Sequence, residues 1–144
     1  MERSIDILLV EDNPDDAELT LRALRRAIST DRVVHLDDGA KAIDYLLGRP
    51  DDTAPAPKFV LLDLKLPKVD GLEVLRRIKS DRRTSAIPVV VLSSSKEDRD
   101  LAESYRLGVN SYIVKPVGFD QYISLIGDVG RYWTELNTVR EPAL

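Results

Sequence analysis

Three runs in this chain, ILLV, FVLLD and VVVLS, are apolar almost without a break. A strand with one wet face alternates apolar and polar residues. An unbroken run suits a strand covered on both sides, as in a parallel sheet held between two layers of helices. With two shorter runs added, strands are expected at Ile5–Val10, Val33–Leu36, Phe59–Asp63, Val89–Ser93 and Ser111–Val114.

Helical patterns separate these runs. The first opens with Asn13 as N-cap, Pro14 at the first helical position and Asp15 and Asp16 in the first turn, where negative charge suits the helix dipole. Its Ala17, Leu21, Leu24 and Ile28 recur at three- and four-residue spacing along one face. Further helices are expected over Gly39–Leu47, burying Ala42, Ile43 and Leu46, and over Gly71–Ile78, with Leu72, Leu75 and Ile78 inward. A polar one near Glu97–Leu107 has little besides Leu101, Ala102 and Tyr105 to bury, and a fifth runs over Phe119–Leu136.

Five strand–helix alternations predict an α/β fold with a doubly wound, five-stranded parallel sheet. Right-handed crossovers leave few topologies for it. The proline-rich stretch GRPDDTAPAPK reads as a loop. A chain of 144 residues, 43% of them hydrophobic, suits one domain, placed at residues 1–136, with 137–144 as a frayed C-terminal tail.

Composition removes several chemistries. Without cysteine there is no disulfide, no thiolate nucleophile and no cysteine-ligated zinc, and the single histidine, His35, cannot build a histidine metal cluster. His35 itself reads as a strand-edge residue. Net charge is −4 and the arginine pairs are scattered, so nucleic acid is not an expected partner. No apolar run reaches the roughly 18 residues of a spanning helix, and MERSID is charged where a signal peptide would be apolar. No membrane partner and a cytoplasmic location follow as expectations.

Two of the strands run into acids, the first at Glu11 and Asp12, the third at Asp63. In open α/β sheets ligands sit beyond the carboxyl ends of the strands, where the strand order reverses. For the order 2-1-3-4-5 that point lies between strands one and three, so the three carboxylates converge. Two unit charges about 4 Å apart repel by ~1 kcal/mol in water and ~4 kcal/mol at an effective dielectric of 20. A hard divalent ion such as Mg2+, which takes a few carboxylates and keeps several waters, would offset this. Ser93 and Lys115 stand at the ends of strands four and five. A hydroxyl, an ammonium and a metal around one carboxylate form a receptor for a phosphoryl group attached to that carboxylate.

The pieces LLVEDN, LLDLKLPKVDGLEVL, IPVVVLSSS and YIVKP, in this order and spacing, resemble the receiver domain of two-component response regulators from about Ile5 to Leu136. The resemblance implies the flavodoxin-like receiver fold with strand order 2-1-3-4-5. It implies Asp63 as phosphoacceptor, and Glu11 and Asp12 as the acidic pair for Mg2+, joined by Asp63 and the backbone carbonyl of Lys65. Ser93 becomes the switch hydroxyl, Tyr112 the switch aromatic and Lys115 the phosphate-sensing lysine. Family members differ at the Lys65 and Ser95 side chains, which tune dephosphorylation. More narrowly, VHLDDGAKAIDYLL, the proline-bearing loop and LGVNSYIVKPVGFDQY resemble stand-alone regulators that partner phytochrome-type sensor kinases.

The implied function is a phosphorylation-activated signalling switch. A sensor histidine kinase would donate its phosphoryl group to Asp63, and output would pass by protein–protein contact or phosphorelay. Beyond self-phosphorylation and autodephosphorylation no enzyme activity is expected. An aspartyl-phosphate phosphohydrolase would share the nucleophile and Mg2+, but it needs an acid two residues on, where Lys65 stands. A constitutive interaction module is the third reading, separable by an Asp63→Asn variant. In the fifth helix, Phe119, Tyr122, Ile123, Ile126, Val129 and Trp133 make one stripe, which Leu125, Tyr132 and Leu136 widen. The width reads as a core stripe with stray apolars, or as a docking face. The docking reading is a homodimer through helix four, strand five and helix five, with Tyr122, Leu125, Val129, Tyr132 and Trp133 at the interface.

Overall fold

The chain runs β1 (Ile7–Val10), α1 (Pro14–Ala27), β2 (Val33–Leu36), α2 (Gly39–Leu47), β3 (Phe59–Leu62), α3 (Gly71–Ser80), β4 (Val89–Ser93), α4 (Asp98–Arg106), β5 (Ser111–Val114) and α5 (Phe119–Arg131), closing with a π-helical turn over Tyr132–Leu136. These elements belong to a computed structural model that describes residues 5–29, 32–48 and 56–140. The strands form one parallel sheet in the order β2-β1-β3-β4-β5, the receiver order expected from the sequence.

The unbroken apolar runs are the three inner strands, and every residue of β1, β3 and β4 is buried. Successive side chains point to opposite faces. Leu8, Val10, Val60, Leu62, Val89 and Val91 therefore meet α2 and α3 through Ala42, Leu46, Val74, Leu75 and Ile78. Ile7, Leu9, Phe59, Leu61, Val90 and Leu92 meet α1 and α5 through Ala23, Leu24, Tyr122, Ile126 and Val129. At roughly 25 cal/mol per Å2 of apolar area removed from water, these two layers supply the main term holding the fold.

Several boundaries move. β1 begins at Ile7, and the buried Asp6 before it forms an ion pair with Arg32 at 3.3 Å. β3 ends at Leu62, leaving Asp63 just beyond the strand, and α3 continues to Ser80. Of the proline-rich stretch 48–58, residues 49–55 lie outside the described residues, as do 141–144 of the expected tail.

Helix α4 overturns its expected packing. Leu101, Ala102 and Tyr105 all face solvent, and the one buried residue of the helix is Ser104. Among the described residues, the Ser104 hydroxyl is also the one buried side-chain polar atom without a hydrogen-bond partner. Leaving such a group unmatched costs about 1–3 kcal/mol.

The fifth-helix interface is corrected too. Tyr122 and Val129, 5% and 7% exposed, pack within the chain's own core, and the Tyr122 hydroxyl is bonded to Thr20 Oγ1 at 2.8 Å. They are not available to a second copy. Gly127 and Gly130 let α1 approach closely: a Cβ on Gly130 would lie 2.8 Å from Leu24 Cδ2. Trp133 is half-buried against Phe59, at 6.4 Å between ring centroids, with Tyr132 edge-on to it. Leu125 is half-buried, which leaves Tyr132 as the exposed member of the expected set.

Candidate functional site

The carboxyl ends of β1 and β3 bring three acids together. One carboxylate oxygen from each of Glu11, Asp12 and Asp63 lies within 4.8 Å of the others. Glu11 and Asp63 are buried, whereas Asp12 is exposed at the rim. Backbone pairing fixes them in place: Glu11 N–H donates to Leu36 C=O at 3.0 Å, and Asp63 N–H to Val10 C=O at 3.0 Å. The Glu11 carbonyl, past the last β2 pairing, is met by His35 Nε2 at 2.8 Å. His35 is thus an exposed strand residue whose ring buttresses the acidic corner.

Lys115, immediately after β5, closes the pocket. Its Nζ donates to Glu11 Oε1 at 2.8 Å, Asp16 Oδ2 at 2.9 Å and Asp63 Oδ2 at 3.2 Å. Asp16 is the residue that sequence reasoning missed as part of the site. The signal was available. Asn13 accepts the Asp15 and Asp16 amides at 2.9 and 3.0 Å, so α1 starts directly at the pocket. Side chains in a first turn lean back toward the helix N-terminus.

Charge here is poorly balanced. Burial pushes the Glu11 carboxyl up to about 7; the Lys115 bond pulls it back and the neighbouring Asp63 charge adds to the rise. For Lys115, burial works against the ammonium, but the bonds to Glu11 and Asp16 and the charges of Asp63 and Glu11 outweigh it and hold the group above the usual lysine range. One ammonium does not neutralise four carboxylates. The donor set is all oxygen, part-buried and short of positive charge, which fits a hard divalent cation. Glu11 and Asp63 each have both oxygens hydrogen-bonded, Glu11 by Lys115 and by the Asn13 N–H at 3.1 Å, Asp63 by Lys115 and by the Lys65 N–H. Each of the three acids can offer an oxygen to such a cation, and Asp12 is the one exposed at the rim. Lys65, exposed in the loop after β3, donates its N–H to Asp63 Oδ1 at 3.2 Å.

A separate hydrogen-bond chain starts at the end of β4. Ser93, fully buried at the end of β4, accepts the Ser95 N–H on its Oγ at 3.2 Å. The Tyr112 hydroxyl donates to the Ser95 carbonyl at 3.0 Å. The Ser95 hydroxyl donates to Asp100 Oδ2 at 2.5 Å, in the first turns of α4, and accepts the Glu97 N–H at 3.3 Å. Ser95 thus links Ser93 both to Tyr112 and to the start of α4.

Comparison with known proteins points the same way. The family model for the response regulator receiver domain matches residues 7–127. The chain is 46% identical over 137 residues to a probable methanogenesis regulatory protein, FilR2, of Methanothrix harundinacea, covering 95% of this chain and 88% of that one. It is 37% identical over 138 residues to response regulator Rcp1 of Synechocystis, covering 95% and 92%. The Mn2+-bound structure of Rcp1 matches with a TM-score of 0.85 at 36% identity, over 94% of this chain and 99% of that one. The phosphorylated cyanobacterial phytochrome response regulator RcpA matches with a TM-score of 0.88 at 39% identity, over 96% and 100%. No helix among the described residues is long and apolar enough to cross a membrane.

Proposed function

Because the chain belongs to the response regulator receiver family, whose members are phosphoacceptor switches, we propose that Asp63 is the residue that carries the phosphoryl group. The observation that carries this reading is the Lys115 ammonium 3.2 Å from Asp63 Oδ2, on a carboxylate grouped with Glu11 and Asp12. A carboxylate with a cation beside it and further acids to hold a metal is suited to accept a phosphoryl group and to stabilise the acyl phosphate formed.

An Asp63 oxygen attacks the phosphorus of a phosphohistidine on a sensor kinase. The new P–O bond forms as the P–N bond breaks, and the imidazole leaves with the electron pair. Lys115 turns an N–H to a phosphoryl oxygen. Mg2+ held by Glu11, Asp12, Asp63 and the Lys65 carbonyl would supply countercharge to the acids and the transferring group. Ser93 holds its Oγ as acceptor to Ser95, which leaves its own proton for the phosphoryl oxygen. As Ser93 is drawn in, the Ser95 amide and carbonyl move, Tyr112 follows, and α4 is biased. The kinase partner is a histidine kinase of the phytochrome type, in keeping with the names of RcpA and its relatives, and the exchange takes place in the cytoplasm. The role is that of a signalling partner and not of a turnover enzyme.

The test is incubation with acetyl phosphate and Mg2+. The wild type is expected to gain a phosphoryl adduct that survives acid and is hydrolysed by base, and Asp63→Asn to gain none. An adduct of equal yield on Asp63→Asn would remove the assignment.

Output runs through a homodimer formed by α4, β5 and α5. Leu101, Tyr105, Val114, Val117 and Phe119 are exposed along these elements and the loop that joins β5 to α5. Large apolar side chains left exposed together on neighbouring elements are what a contact site would use. Sedimentation with beryllofluoride should show a dimer that Tyr105→Glu with Phe119→Glu disrupts. A monomer in both the free and the beryllofluoride-bound protein would rule the dimer out.

A further inference from the structure

An ammonium has three N–H donors. Those of Lys115 serve three different carboxylates, Glu11 at 2.8 Å, Asp16 at 2.9 Å and Asp63 at 3.2 Å. No donor is left over for an incoming phosphoryl oxygen, and the bond to Asp63 is the longest of the three. We propose that Asp16 is a positioning residue for Lys115 and a brake on phosphoryl acceptance. It anchors the ammonium on the α1 side of the pocket and adds a fourth negative charge at its mouth. The inference rests on Asp63 being the phosphoacceptor.

The argument is one of competition. When an Asp63 oxygen attacks phosphorus and the carrier leaves with the bonding electrons, the arriving group brings roughly two negative charges into a pocket already rich in them. Lys115 must give that group an N–H. Glu11, buried and the partner nearest to the ammonium, stays in place. The bond to Asp63 is the one exchanged, while Asp16 keeps hold of the ammonium from the far side. Asp16 therefore limits how far Lys115 advances toward the phosphoryl group, and its own charge opposes the donor's approach. Its side chain is 36% exposed against 12% for Lys115, so it faces the route from solvent.

A simpler role has to be separated from this one. Asp15 and Asp16 share the first turn of α1, where either carboxylate favours the helix dipole. Asp15 is exposed on that turn, and the carboxylate that reaches Lys115 is that of Asp16. Asp15→Asn is accordingly the control. Asp16→Asn keeps an oxygen for the Lys115 N–H and removes only the charge.

The experiment measures the rate of phosphorylation by acetyl phosphate at saturating Mg2+, at low and high ionic strength, together with the metal-free Tm. Asp16→Asn should react roughly three- to tenfold faster than wild type at low salt. Screening of this part-exposed charge should shrink the gain at high salt. Asp15→Asn should keep the wild-type rate while showing a similar small change in Tm. A wild-type rate for Asp16→Asn, or an equal gain from Asp15→Asn, overturns the proposal while leaving Asp63 as acceptor. A wild type that takes no phosphoryl group at Asp63 overturns both.

Discussion

Lys115→Met is expected to lower folding stability by about 3 kcal/mol at pH 8 without added metal, and by much less near pH 5. The substitution keeps the bulk of the side chain and removes its charge from among Glu11, Asp16 and Asp63. Two linked titrations set the pH dependence. The Lys115 ammonium is raised in the fold, so its stabilising contribution is present below the ordinary lysine value of 10.5 and is lost only at higher pH. It is therefore at full strength across the neutral range. Glu11 is raised in the fold from an ordinary 4.5 to about 7, so the folded state binds the extra proton and stability falls as pH climbs through that window. Without Lys115 to pull it down, Glu11 is held higher still, and the fall extends to more alkaline pH. Denaturant titrations of both proteins at several pH values check this. Divalent cation added at pH 8 should recover part of the loss. A deficit that is constant from pH 5 to 8 would mean lost packing and not lost charge.

Gly39→Ala should destabilise the fold by about 3 kcal/mol, a fall in Tm on the order of 10 °C for a chain of this size. Gly39 opens α2 directly after its N-cap Asp38, whose side chain accepts the Lys41 N–H at 2.7 Å. A Cβ there would sit 1.8 Å from the Val69 carbonyl oxygen and 3.0 Å from Val74 Cγ2. The nearest obstacle is backbone, so α2 or the loop between β3 and α3 has to move. That loop is already constrained, since Lys68 holds φ at 70°, a conformation uncommon outside glycine. It also carries Lys65, so divalent-cation affinity should weaken along with stability. Thermal melts with and without Mg2+ measure both. A Tm within a degree or two of wild type would show that the contact relaxes freely.

Much of the site was legible because its logic is topological. Glu11, Asp12, Asp63, Ser93 and Lys115 each follow or end a strand, and a parallel sheet brings strand ends to one edge whatever their distance along the chain. Asp16 escaped for the opposite reason. A carboxylate in a first helical turn has a sufficient local explanation in the dipole, and that hid its tertiary partner. Tyr122 and Val129 were misplaced because a wide apolar stripe does not say which part meets the chain's own sheet and α1. In α4, Leu101 and Tyr105 were assigned inward because a helix so short of apolar residues was assumed to bury those it had, and the inward position went instead to Ser104.

That serine has an energetic consequence for signalling. Helix α4 buries a small serine and no large apolar side chain, so hydrophobic burial contributes little to holding it in place. Each ~1.4 kcal/mol of attachment forgone would make a displaced arrangement of such a helix about tenfold more accessible. A modification that favours a displaced α4 would have correspondingly less free energy to supply.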